Sequence, residues 1–292
     1  MRVSNRLGLG LVVSLCSLSL CEGVFAQNLA EPFDRDLTGW SFAAGTAEWS
    51  RVDSSQLSTS GSAKLTNLAS DHVGISRCIA ITSPISNYVA GARARLGDGL
   101  TSAAGHAQLS LLFFNTSDCS GNSFDGVNLG LTSGTSWNWG LFSLPFSPAR
   151  TDIHSVSVTP TLYRASAGGV TAYVDDVLFG INTAAAFGQG RFSAGVAWKT
   201  KEGRIGLGNP VELTADSSYF WFFAPTNVEL VVKVLNACTF NNRYWIFAGG
   251  LTNVETLLDV VDTQARFITG YINFQGNAFQ PVQDTNAFPS CP

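Results

Sequence analysis

TAYVDDVLFGI, residues 171–181, decides how the chain is read. Its β-branched and aromatic residues mark a buried β-strand, yet two adjacent carboxylates, Asp175 and Asp176, sit in the middle. Successive strand side chains point to opposite faces, so Asp176 is expected beside Val174 and Leu178, and Asp175 beside Tyr173 and Val177. Neither face is polar. A carboxylate held among such neighbours must be ion-paired, hydrogen-bonded, metal-bound or neutral.

Elsewhere in the chain, apolar residues alternate with period two in TAEWSRV (46–52), VGISRCIAI (73–81), NYVAGARARL (87–96), HAQLSLLFF (106–114) and HSVSVTPTLY (154–163). Each run is bounded by Gly, Asn, Asp, Ser or Pro. Short alternating runs at turn-separated spacing predict an all-β fold of antiparallel sandwich type, with very little helix after residue 26. NTAAAFGQG (182–190) reads as a small-residue linker, and a second series starts at Arg191. There Phe192, Ala194, Val196 and Trp198 share one face and Arg191, Ser193 and Lys199 the other. A boundary near residue 183 gives two consecutive β-sandwich domains, 27–182 and 183–292, both of ordinary size.

Residues 1–26 carry Arg2 and Arg6, the apolar run from Leu7 to Leu20, and a close on small Ala26, the layout of a secretory signal peptide. The run is too short for a membrane span, so the mature protein is expected to be secreted, extracellular or associated with the cell surface. Loss of the leader removes Cys16 and Cys21 and leaves Cys78, Cys119, Cys238 and Cys291. An even number in an oxidising compartment reads as two disulfides. Three connectivities are open, and the domain division favours Cys78 with Cys119 and Cys238 with Cys291. Removing Arg2, Arg6 and Glu22 takes the formal charge from −4 to −5. No basic cluster appears, which argues against nucleic acid as a partner.

The first domain resembles the β-jelly-roll of secreted carbohydrate-binding modules, part of the galactose-binding-like group. The resemblance is carried by the order of EPFDRDLTGW (31–40), LSLLFFNTSDCSG (109–121), SWNWGLFSLPFSPA (136–149) and AYVDDVLF (172–179). It implies a structural calcium ion between the start of the domain and the closing strand, with Asp34, Glu31, Asp175 and Asp176 as the matching carboxylates. It also implies a glycan platform on a concave sheet. Trp137 and Trp139 are two residues apart and would share a strand face; indoles stack on the C–H faces of pyranose rings, and Asn138, Gln108 and Arg93 would meet the hydroxyls. Trp40 and Trp49 read as core.

The second domain resembles a module found at the ends of secreted bacterial proteins, one without an established activity. GRFSAGVAWKT (190–200), SSYFWFFAPTNVELVVKVLNAC (217–238), NNRYWIFAGGLTNVE (241–255) and AFQPVQDTNAF (278–288) carry it. Typical copies have a cysteine before the first strand, where this chain has AAAF (184–187), and Cys291 is expected to take its place. In SYFWFF (218–223), Tyr219, Trp221 and Phe223 point one way and Phe220 and Phe222 the other, so a second layer, the first domain or a protein partner should cover each face. NNRYWIFAGG is expected to pair beside it.

Catalytic signatures are missing. His72, His106 and His154 are dispersed, there is no H-E-x-x-H or G-x-S-x-G, and EGRIGLGNP (202–210) reads as a turn. The function expected is that of a secreted, non-catalytic glycan-binding protein with a calcium-stabilised jelly-roll. The alternatives are an extracellular surface or matrix protein without a sugar site and, behind it, a polysaccharide-active enzyme.

Overall fold

The computed structural model describes residues 27–292, so the signal-peptide segment, 1–26, lies outside the described residues. The chain first forms β1 (Gln27–Glu31), β2 (Ser41–Ala44), β3 (Thr46–Ser50), β4 (Ser62–Asn67), β5 (His72–Ala80), β6 (Ile85–Leu96), β7 (Gly105–Phe114), β8 (Asp125–Thr132), β9 (Asn138–Arg150), β10 (Ser155–Arg164) and β11 (Val170–Ile181). It continues through β12 (Ala185–Phe187), β13 (Phe192–Lys199), β14 (Ile205–Leu207), β15 (Asn209–Thr214), β16 (Ser217–Trp221) and β17 (Leu230–Ala237). A single turn of helix follows, α1 (Cys238–Asn241), then β18 (Arg243–Gly250), β19 (Glu255–Asp262), β20 (Phe267–Asn273) and β21 (Val282–Phe288).

These strands build four antiparallel sheets. In the first sandwich the order β3-β4-β11-β6-β9, with β1 also on β11, faces the order β2-β5-β10-β7-β8. In the second, β12-β13-β19-β20, with β14 also on β13, faces β15-β16-β17-β18-β21. Each facing pair encloses its own core: Leu65, Leu96, Leu109, Val156 and Phe179 in the first, Phe192, Phe220, Leu230, Ile246 and Phe288 in the second. The passage from one to the other falls between Ile181 and Ala185. Trp40 is buried in the first core and Trp49 packs against it, its Nε1–H donating to the Phe33 carbonyl at 2.7 Å. Cys78 bonds to Cys119 and Cys238 to Cys291, one bridge in each sandwich.

A third apolar cluster joins the two sandwiches. Val89, Leu141 and Leu178 on the outer face of the β11 sheet meet Ala197, Ile205, Leu207 and Leu257 of the β13 sheet. The molecule is therefore four sheets deep, with the β11 and β13 sheets inside. This double coverage explains the apolar strand at 171–181, and a β-bulge corrects its expected faces. The pairing of β11 with β6 shifts register between Asp175 and Leu178, and Asp176 takes a left-handed φ of 50°. Aspartate tolerates that conformation better than most residues. The extra residue lets Val174 and Val177 both enter the first core while Asp175 and Asp176 are turned away from it.

SYFWFF follows the expected alternation in part. Phe220 and Phe222 enter the second core, whereas Tyr219 and Trp221 lie half-buried on the outer face of the β16 sheet. Phe223 bends back to contact Trp198, ring centroids 5.0 Å apart. NNRYWIFAGG does not pair beside this strand: β17 lies between β16 and β18, because the short connection through α1 returns the chain onto the far side of β17.

Candidate functional site

The bulge turns both carboxylates toward the second sandwich, and β13 supplies the countercharge. Lys199, at the end of β13, donates from Nζ to both oxygens of Asp176 at 2.9 and 2.8 Å. Arg93 on β6, directly opposite Asp175, forms an ion pair from Nε to Asp176 Oδ2 at 3.0 Å. Its other arm pairs with Glu255 at the start of β19. Ser54, in the turn after β3, closes the set: its N–H donates to Asp175 Oδ2 at 3.0 Å and its hydroxyl to Asp176 Oδ2 at 3.1 Å. Asp175 also accepts the Asp176 N–H at 2.7 Å. Burial, and then the neighbouring Asp176 charge, push the Asp175 carboxyl well above the usual carboxylate range. Two cations, Lys199 and Arg93, thus face two anions, Asp176 and Glu255, with the Asp175 carboxyl beside them.

Buried ion pairs carry a desolvation cost that only good geometry offsets, and removing one partner is strongly destabilising. The arrangement therefore fixes how the sandwiches dock. A second polar contact acts the same way deeper in the interface. Ser143 on β9 donates its N–H and hydroxyl to Asp259 Oδ2 on β19 at 2.9 and 2.8 Å. Gly195, paired with Asp259 across β13 and β19, leaves the room: a Cβ there would lie 2.9 Å from Asp259 Oδ1. Burial raises Asp259 to about 7.

Beside this network a cleft of about 500 Å³ opens between the sandwiches. Its floor is Arg93, Lys199 and Glu255. One wall carries Trp137, Asn138 and Trp139, and the other Ile272, Phe274 and Gln275. Four of the five residues expected to bind a glycan therefore converge, though on the covered sheet rather than an open concave one. Trp139 lies opposite Arg93 across the β6–β9 ladder, and the guanidinium sits 4.1 Å from the indole centroid, which takes up one ring face. Trp137 precedes β9 and is half-exposed at the cleft, with Arg95 5.9 Å from its ring. Asn138 donates from Nδ2 to the Leu131 carbonyl at 2.6 Å.

Gln108 is not part of the cleft. It lies on β7 in the other sheet of the first sandwich, where its amide donates to Ser110 at 3.1 Å. On that sheet two of the histidines that are dispersed in sequence come together: His72 and His106 stack on either side of Tyr163, ring centroids 5.4 and 5.1 Å apart.

The carboxylates expected to bind calcium are engaged in different ways. Asp34 is exposed, whereas Asp175 and Asp176 are fully buried. Glu31 is committed elsewhere, accepting from the Phe33 N–H at 3.1 Å and pairing with Arg77 at 3.0 Å. With Asp176 held by Lys199 and Arg93, these residues do not fit a cation of high charge. Among the described residues no group of three or more acidic, histidine or cysteine side chains is arranged to hold a metal ion.

Lys199, Glu255, Ser54, Asp259 and Phe274 were not singled out from sequence as site residues. Lys199 had a signal, since it falls on the polar face of a strand whose other face is core. Glu255 and Ser54 lie in turn-flanked stretches without pattern.

No protein-family profile and no curated protein sequence matches the chain. Among solved structures, it is similar to the enzymatically active domain of bacteriophage CBA120 tailspike protein 4, at 15% identity and a TM-score of 0.39, over 51% of this chain and 20% of that one. It is similar to a family-61 carbohydrate-binding module in complex with β-1,4-galactotriose, at 14% identity and a TM-score of 0.33, over 50% of this chain and 90% of the module. It is also similar to the N-terminal cellulose-binding domain of Cellulomonas fimi β-1,4-glucanase C, at 15% identity and a TM-score of 0.31, over 51% and 92%. Each match spans about half of this chain.

Proposed function

We propose that this is a secreted, non-catalytic glycan-binding protein whose site is the cleft between the two sandwiches. The observation that carries the reading is the convergence of Trp137, Asn138, Trp139 and Arg93, from one strand pair, on a single cleft walled on its far side by the second sandwich. Ligand sites are concave, mostly apolar and furnished with a few placed polar groups, and they favour domain junctions. Trp137 supplies the accessible stacking ring. Trp139, under Arg93, supports the floor.

Support for a binding role over a catalytic one comes from the same floor. General acid–base work needs carboxyls free to exchange a proton at the ligand. Asp176 and Glu255 are instead tied to Lys199 and Arg93. Two disulfides support an extracellular location, and no helix among the described residues is long and apolar enough to cross a membrane.

The test is retention of the mature protein on a polysaccharide panel, with Trp137→Ala beside the wild type. Loss of an aromatic at a binding hot spot costs about 2 kcal/mol or more, roughly thirtyfold in affinity. The variant should lose retention with its thermal transition unchanged. A variant that unfolds would make Trp137 a core residue and remove the platform. A second reading, a surface or matrix protein that binds other proteins, is favoured by a different observation: Tyr219, Trp221, Trp245 and Phe247 leave half-buried rings on the outer face of the β16 sheet. It becomes the better one if no glycan is retained.

A further inference from the structure

The cleft combines paired charges with apolar side chains that none of the described residues covers. Arg93 and Lys199 are the cations of the floor, and each is already matched, Lys199 by Asp176 and Arg93 by Asp176 and Glu255. The remaining acid, Asp175, is pushed toward its neutral form by burial. An acidic sugar reaching the floor would find no unmet cation there and would have to break a buried pair to gain one. Lys201, at the rim, is largely exposed and lies 3.7 Å from Glu202. A paired charge array presents donors and acceptors together, which suits hydroxyl groups.

The second sandwich supplies the apolar wall. Ile272, in β20, and Phe274, just after the strand, are 46% and 61% exposed, while Phe192, Phe220 and Phe288 of the same domain are fully buried. Both line the cleft, with the Gln275 amide beside them. Exposed apolar side chains scattered singly need no explanation, but two neighbours that complete a cleft facing an accessible indole do. A ring and a branched aliphatic chain match the C–H faces of a pyranose as the indole of Trp137 does.

We infer that the cleft takes a neutral glycan segment held by both sandwiches, with Phe274 of the second as a binding ring alongside Trp137 of the first. This rests on the glycan-binding reading and extends it to the class of sugar and to a role for the C-terminal module. It makes the second sandwich half of the site instead of a passive scaffold.

The experiment uses the full mature chain in affinity electrophoresis and calorimetry against neutral, uronate-rich and sulfated polysaccharides. Binding is expected to the neutral polymers alone, with a Kd that changes less than about twofold between roughly 50 and 500 mM salt, since no net charge is exchanged. Phe274→Ala should weaken binding about tenfold or more with an unchanged melting temperature, and Phe274→Trp should retain it. Trp137→Ala separates the two levels of the argument. If Trp137→Ala abolishes binding and Phe274→Ala stays within about twofold of wild type, the glycan reading stands and the role of the second sandwich is overturned. Preferential, salt-weakened binding to acidic polymers overturns the charge argument. Failure of the wild type to bind any polymer overturns the glycan reading, and this inference with it.

Discussion

Asp259 offers the sharpest test of how the two sandwiches are held. Its carboxyl is buried between the β11 and β13 sheets, accepts two hydrogen bonds from Ser143 and is raised from 3.8 to about 7, with burial as the dominant cause. A folded-state pKa above the unfolded one means that the native state holds the proton more tightly. The contribution is therefore fully present below about pH 4 and is lost as the pH rises through about 7. At about 1.4 kcal/mol per unit, the loss above neutrality is on the order of 4 kcal/mol. Asp259→Asn keeps an acceptor for Ser143 and cannot ionise. Its melting temperature should match that of the wild type near pH 4 and exceed it near pH 8, by about 2–4 °C for each kcal/mol. Differential scanning calorimetry across this range reads the crossover. Equal melting temperatures at both pH values, or a variant less stable than wild type at pH 8, would refute the reasoning.

Asp176→Asn should behave in the opposite way, because it leaves Lys199 and Arg93 short of a buried partner. A loss of about 3 kcal/mol or more in urea unfolding is expected, and adding Lys199→Met should recover part of it; a loss under about 1 kcal/mol would mean that the pairs are solvated. Because Asp176 and Glu31 are already paired with Lys199, Arg93 and Arg77, excess chelator should leave the melting curve of the mature protein unchanged, and a drop of several degrees would reveal an ion bound by the folded state.

Period-two patterning made the fold legible. Alternating runs predict all-β architecture without knowledge of partners, because each strand must segregate core from surface by itself. The same logic failed at Asp176, since a bulge adds a residue to one strand and shifts every face beyond it, a fact that belongs to the pairing with β6 and not to 171–181 alone. It failed again for NNRYWIFAGG, whose neighbour is set by the path through α1. Trp137, Asn138, Trp139 and Arg93 could be grouped because β6 and β9 are both in the first sandwich. Gln108 could not be excluded, because two facing sheets share one alternation and sequence does not say which sheet a strand joins. Lys199, Glu255 and Phe274 come from strands more than a hundred residues from Arg93 or on the other side of the domain boundary, where only docking reveals them.

The position of the charges shows why the site and the interface are one construction. An interface built solely from Val89, Leu141, Leu178, Ala197 and Leu257 would hold two flat sheet faces together but would define their mutual rotation weakly, since the hydrophobic effect is non-directional. Arg93 reaching Asp176 across its own sheet and Glu255 across the interface, with Lys199 meeting Asp176 from the opposite side, admits one docking geometry. That geometry also sets the separation of Trp137 from Phe274, because the same guanidinium is both a lock between the domains and the floor of the cleft. The proposed binding surface, divided between two domains, needs such a constraint: a misplacement of about an ångström across a stacked ligand forfeits a large part of the dispersion contact on one side. The carboxylates of a strand that reads as core are therefore placed where they fix orientation at the cost of some stability, and the cleft beside them inherits its precision.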